Sequence, residues 1–178
     1  MKRLDLCGTW QMQGNGYCCR GKVPGSVYSF LLDAGLMDEP YYRDNEDAAL
    51  ALMEHSYEFC RSFSYATTGN PVKLCCDGLD TLASIYLNGQ LVAKTQNMHR
   101  RYAFDVSDLL VDGENTLSIR FDSPTAYVRQ KHKEDPVIGC SQWPYLGFYQ
   151  LRKVHSMFGW VWGTRLPDAG IWRDNYLL

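Results

Sequence analysis

Ala83-Ser84-Ile85-Tyr86-Leu87-Asn88-Gly89-Gln90-Leu91-Val92-Ala93 reads as two short strands joined by a two-residue turn. Asn-Gly tolerates the left-handed backbone of a type I′ turn, whose twist matches the strands on either side. Working outward, the same period of two recurs. Within residues 55–65, Tyr57, Phe59, Arg61 and Phe63 share one parity, and Glu58, Cys60 and Ser62 the other. Thr68-Gly69-Asn70-Pro71 then turns the chain into 72–76, expected as the partner strand. Residues 102–106 and 116–121 are further strands, the second entered through Asp112-Gly113-Glu114-Asn115. Residues 4–12 read as the first strand and 171–178 as the last, with Asn15-Gly16 and Gly21 marking loops. Many short strands, frequent turn residues and little helix define an all-β sandwich.

The helices decorate it. Ser26 suits an N-cap, Val27, Phe30, Leu31 and Ala34 form an apolar stripe at i, i+3, i+4 and i+7, and Gly35 stands where the helix should stop. Residues 124–134 form a short charged helix with Pro124 in its first turn. Residues 38–49 are acidic and read as an ordered loop or a short helical turn, and 136–150 as a long aromatic loop.

A chain of 178 residues is long enough to bury one core, and no repeat or linker divides it. With 18 basic and 20 acidic residues the net charge is −2, so no field of one sign draws nucleic acid or anionic lipid. The basic residues of 129–133 read as a solvated helix face. No run approaches the roughly 20 apolar residues of a membrane span, and the opening Met-Lys-Arg-Leu-Asp leads into no signal-peptide core. Seven cysteines, with Cys18-Cys19 and Cys75-Cys76 adjacent and no C-x-x-C, suit neither a disulfide framework nor a zinc site. Reduced thiols and a cytoplasmic location are the expectation.

The sequence nominates no catalytic residue and no cofactor. It has no Gly-x-Ser-x-Gly, P-loop, dinucleotide-binding glycines or His-Glu-x-x-His. His55, His99, His132 and His155 have no metal-ligand spacing, and Asp44, Glu46 and Asp47 lack the glycine and closing glutamate of a calcium loop. The distinctive stretch is 156–173, which holds Trp160, Trp162 and Trp172. Gly159, Gly163, Pro167 and Gly170 exclude a helix, leaving a rigid aromatic loop that feeds the last strand. Aromatic faces beside Arg165 and Asp168 suit a sugar, which offers C–H faces for stacking and hydroxyls for hydrogen bonds. The same residues also suit a plug over the end of a sandwich core.

Asp77-Gly78-Leu79-Asp80-Thr81-Leu82-Ala83-Ser84-Ile85-Tyr86-Leu87-Asn88-Gly89 resembles a segment of glycoside hydrolase family 2 enzymes of the β-mannosidase type. So do Val23-Pro24-Gly25-Ser26-Val27-Tyr28, Gly113-Glu114-Asn115, and Phe158-Gly159-Trp160-Val161-Trp162-Gly163 with Gly170-Ile171-Trp172-Arg173. The matches keep the family's order and cover essentially the whole chain. The resemblance implies a jelly-roll β-sandwich similar to a galactose-binding domain, with residues 1–178 forming the single N-terminal domain of a larger glycosidase. Its implied partners are immunoglobulin-like and TIM-barrel domains of the same chain and a β-linked oligosaccharide or glycoside. The barrel carries both catalytic glutamates, so these 178 residues alone hydrolyse nothing. The chain's apolar end, Tyr176-Leu177-Leu178, fits a cut at a domain boundary.

The resemblance also implies that the tryptophan loop completes the pocket for the non-reducing-end sugar. It carries Trp160, Trp162 and Arg165 over as pocket or pocket-supporting residues. Val161 stands where the family has an aspartate that bonds sugar hydroxyls, and Thr164 where it has proline. Losing such a charged hydrogen bond costs about 1.5–3 kcal/mol unless another group replaces it. Asp168 is the candidate replacement, and the identity of the sugar stays open. A stand-alone lectin-like module and a purely structural domain are the competing readings.

Overall fold

The computed structural model describes residues 3–137, 145–159 and 163–178. In chain order the elements begin with β1 (Leu4–Asp5), β2 (Gly8–Gly14), β3 (Tyr17–Val23), β4 (Gly25–Ser26), α1 (Val27–Asp33) and α2 (Asn45–Leu52). The middle of the chain supplies β5 (Tyr57–Tyr65), β6 (Lys73–Cys76), β7 (Leu79–Asp80), β8 (Ala83–Leu87), β9 (Gln90–Thr95), β10 (Tyr102–Asp105) and β11 (Gly113–Phe121). It closes with α3 (Pro124–Glu134), β12 (Gly170–Ile171) and β13 (Asn175–Leu177). Among the described residues the strands form a six-stranded sheet, β3-β2-β5-β11-β8-β9, and a four-stranded sheet, β1-β13-β6-β10. A small third sheet, β4-β12-β7, lies outside these two. All the pairings are antiparallel. The all-β sandwich read from the sequence is the fold.

The Asn88-Gly89 hairpin joins β8 to β9 as expected, with φ of 51° and 78° at its two turn residues. The Asn88 side chain ties it to β11: Nδ2 donates to the Leu109 carbonyl (2.9 Å) and Asn115 Oδ1 (2.8 Å), and Oδ1 accepts from Thr116 N–H (2.8 Å). Asn15-Gly16 belongs to a second such hairpin, with φ of 48° and 77°. Residues 17–23 are therefore strand β3, not loop. Their signal is weak because β3 is an edge strand with little surface to bury.

Three further expectations change. Residues 72–76 do not pair with 55–65: β6 bonds to β10 and β13, whereas β5 bonds to β2 and β11. The segment after β5 thus carries the chain from one sheet to the other. Residues 171–178 supply β12 and β13 in different sheets, and 4–12 is broken between β1 and β2. At that break Gly8 has φ 107°, and Arg61 Nη1 donates to the carbonyls of Leu6 (3.0 Å) and Cys7. This explains an arginine on the core parity of β5. Residues 38–49 run into the eight-residue helix α2, and residues 138–144 of the expected aromatic loop lie outside the described residues.

The main core lies between the two larger sheets and includes Met12, Phe59, Ile85, Leu117, Ile119 and Phe121 from one and Leu74, Cys76 and Leu177 from the other. Phe59 packs edge-to-face with Phe30 of α1 (5.0 Å) and with Phe121 (5.5 Å). Each such pair is worth about 0.5–1.5 kcal/mol beyond the area it buries. Helix α1 reaches this close because residue 21 is glycine: a Cβ there would lie 2.6 Å from the Phe30 ring. Ser26 and Ser29 form a capping box at its start, and at its end Leu36 N–H donates to the Leu31 carbonyl (2.8 Å) beyond Gly35, with φ 65°. The hydroxyls of Ser123 and Thr125 at the start of α3 both donate to the Met53 carbonyl that ends α2, at 2.6 and 2.8 Å. Cys7, Cys18, Cys19, Cys60, Cys75 and Cys76 are all unpaired thiols. No helix among the described residues is long and apolar enough to cross a membrane.

Candidate functional site

The aromatic loop begins in a 3₁₀ turn at His155–Met157, where Phe158 N–H donates to the His155 carbonyl (3.0 Å). Phe158 is fully buried in a second apolar cluster with Leu82, Val128, Phe148 and Leu151. Its ring lies 6.0 Å from that of Tyr145 and 6.2 Å from that of Phe148. Gly159, with φ 89°, then turns the chain. Trp160, Val161 and Trp162 lie outside the described residues. On the return, Arg165 forms an antiparallel bridge with Phe158, which closes the segment carrying the two tryptophans in sequence.

Arg165 is drawn to α2. Its Nε donates to Glu46 Oε1 and its Nη2 to Asp47 Oδ1 (3.0 Å). The Arg165 and Glu46 side chains are only 23% and 25% exposed. Thus two of the carboxylates weighed as a calcium loop ion-pair with the loop's arginine. Among the described residues no cluster of three His, Cys, Asp or Glu side chains could hold a metal ion.

Asp168 faces the start of α1. Its Oδ1 accepts from Tyr28 N–H (3.2 Å) and from Ala169 N–H (2.8 Å). A carboxylate beside a helix N-terminus is favoured by unpaired amides and by the helix dipole. The residue keeps part of its surface exposed, but the carboxyl group itself is enclosed, and burial pushes its pKa up to about 6. The Ser26 hydroxyl, the Ala169 amide, the Lys153 charge and the Tyr28 amide offset only part of that effect.

A raised carboxyl pKa means that the native state holds the proton more tightly than the unfolded chain does. The stability this gives is complete below the ordinary aspartate range near pH 4. It declines as pH rises toward 6 and is gone above. Asp168→Asn, which keeps an acceptor oxygen, is therefore expected to stabilise the protein by about 2 kcal/mol at pH 7.5 and by almost nothing at pH 4. Urea unfolding at the two pH values checks this. An equal effect at both would exclude ionisation as the cause.

Sequence reasoning nominated Trp160, Trp162, Arg165 and Asp168 but missed the partners that hold Arg165 and Asp168. Glu46 and Asp47 were visible only as acidic residues. Lys153, in Leu151-Arg152-Lys153-Val154, resembles any surface lysine. Its side chain is wholly buried, and its Nζ donates to Asp80 Oδ2 and to the Asp168 carbonyl (2.6 Å). Asp80 belongs to the stretch that carried the resemblance, which gave no sign of its partner.

The sandwich, with an aromatic loop anchored between its helices and its smallest sheet, defines a galactose-binding type of β-domain. Residues 10–173 match the family described as glycosyl hydrolase 2 galactose-binding domain-like. The chain belongs to this family. It is 32% identical to the β-mannosidase of Capra hircus and 34% identical to that of Rattus norvegicus, over 96% of its own length in both cases. It spans only 21% and 22% of those two relatives. The crystal structure of β-D-mannosidase from Dictyoglomus thermophilum superposes on the whole chain with a TM-score of 0.93 at 32% identity, using 22% of that protein. The Amycolatopsis orientalis exo-chitosanase CsxA shares the fold, with a TM-score of 0.71 at 15% identity over the whole chain and 20% of its own.

Proposed function

We propose that residues 1–178 form the N-terminal, non-catalytic sandwich domain of a β-mannosidase-like family 2 glycoside hydrolase that removes terminal β-linked sugars. The observation that carries this reading is the coverage: relatives named β-mannosidase match nearly all of this chain with about a fifth of their own length. The catalytic glutamates belong to a TIM barrel elsewhere in the polypeptide, with an immunoglobulin-like domain between. The tryptophan loop completes the pocket for the non-reducing-end sugar. Trp160 and Trp162 supply the aromatic surface, and Arg165 and Asp168 set the loop against α2 and α1. The bridge between Phe158 and Arg165 and the paired carboxylates on α2 support this division, since a stacking platform needs a fixed base. The unpaired thiols favour work in the cytoplasm.

The test is the reading frame beyond the codon for Leu178, together with an assay of the purified 178-residue chain. The frame is expected to continue through several hundred residues that include a barrel with paired glutamates. The chain alone is expected to show no turnover of p-nitrophenyl β-D-mannoside. A stop codon after Leu178, or turnover by the clean chain, overturns the reading.

A further inference from the structure

We propose that Lys153 is a positioning residue for the sugar pocket: its ammonium group, held by Asp80, fixes the backbone at Asp168, where the loop that carries Trp160 and Trp162 rejoins the sandwich. The proposal rests on the reading that this loop faces sugar. The Lys153 side chain has no exposed surface and that of Asp80 only 5%. An ion pair this enclosed is a poor device for stability alone, because an apolar pair of similar volume often serves as well or better. A methionine in place of the lysine could not grip a carbonyl. Lys153 Nζ does so, reaching the Asp168 oxygen at 2.6 Å while it is paired with Asp80.

Both sides of this link are anchored. The segment around Lys153 is laced to the 97–98 turn: Asn97 bridges Arg152, Met98 N–H donates to the Arg152 carbonyl (3.0 Å), and Val154 N–H points at Met98 Sδ (3.1 Å). Asp80 lies opposite Gly170 in the smallest sheet, and its Oδ1 accepts from Thr81 Oγ1. Asp168 marks the point where the loop rejoins the sandwich, for the next carbonyl, that of Ala169, accepts from Val27 N–H (2.8 Å). Lys153 therefore sets where the loop ends relative to β7 and α1. A shift of about an ångström in groups that hold a substrate is enough to cost much of their effect.

The experiment removes both charges in the double variant Lys153→Met with Asp80→Leu. This avoids leaving one ion buried alone and should preserve the fold. Hydrogen exchange is measured on the 178-residue chain, and kinetics with p-nitrophenyl β-D-mannoside on the polypeptide that includes the barrel. The amides of residues 163–166 and 168 are expected to exchange about tenfold faster, the scale of one lost charge-assisted hydrogen bond, while those of β5 and β11 stay as they were. In the enzyme kcat/KM is expected to fall about tenfold, mostly through KM. If the double variant does not fold, Lys153→Gln with Asp80→Asn, a neutral pair that can still hydrogen-bond, is expected to quicken the same amides about threefold. Unchanged exchange at 163–166 and 168 in a folded variant, or an unchanged KM, overturns the proposal. The reading on which it rests fails separately, if Trp160→Ala leaves the kinetics as they were; the exchange data then still decide whether Lys153 anchors the loop.

Discussion

Phe158→Ala is expected to lower the free energy of unfolding by about 3–5 kcal/mol, the usual cost of emptying a fully buried aromatic position. Phe158 belongs to the smaller cluster with Val128, Phe148 and Leu151, between α3 and the aromatic segments that follow it. Little there can slide in to fill the hole, since α3 is pinned at its start by Ser123 and Thr125. The residue is also one half of the bridge to Arg165, so the damage reaches the loop. Phe158→Leu should cost less than about 1.5 kcal/mol, because it keeps most of the volume. Urea titration of both variants measures this. A loss below about 1 kcal/mol for the alanine variant would show that the cluster closes over the gap and does not fix the loop.

Under the function proposed above, Trp160→Ala in the polypeptide that includes the barrel is expected to reduce kcat/KM for p-nitrophenyl β-D-mannoside by about ten- to a hundredfold. An indole face stacked on a sugar ring buries enough apolar surface for roughly 1.4–3 kcal/mol, and each 1.4 kcal/mol is a factor of ten. The variant should melt within a few degrees of the parent, which separates loss of a sugar contact from loss of the fold. Kinetics indistinguishable from the parent would make the loop a plug over the sandwich end, the competing reading of the same residues.

Features set by neighbours in sequence were legible. Asn88-Gly89 announced its hairpin because a turn with two positive φ angles admits few residue pairs. Ser26 and Gly35 bracketed α1 because capping is satisfied within a few residues. Pairings across the chain were not legible. Nothing local tells Lys73–Cys76 to join the sheet opposite Tyr57–Tyr65, since Leu74 and Cys76 would suit the inner face of either. The site divides in the same way. The tryptophans and glycines of 156–173 stand out by composition. The salt bridge from Arg165 to Glu46 spans 119 residues, and that from Lys153 to Asp80 spans 73, so neither leaves a trace in spacing. A buried lysine is distinguished from an exposed one only by what the fold places around it.

The pairing of β1 with β13, Leu4 opposite Leu177 and Asp5 opposite Tyr176, sets an order of events during synthesis. Every strand of the six-stranded sheet has left the ribosome by about the time residue 121 has emerged, so that layer can zip up early. The opposite layer cannot. Strands β6 and β10 pair with each other but must wait for β13, made after every strand of the larger sheet, to give β1 its partner and to cover the other edge of β6. Until then the inner side chains Leu74 and Cys76 sit on a half-built sheet with an open edge, a surface that chaperones bind and aggregates grow from. Once folding is complete Leu4–Asp5 and Asn175–Leu177 lie side by side. A short linker between them, with new termini cut at the exposed 66–71 segment, would let the two halves of the slow sheet be made together.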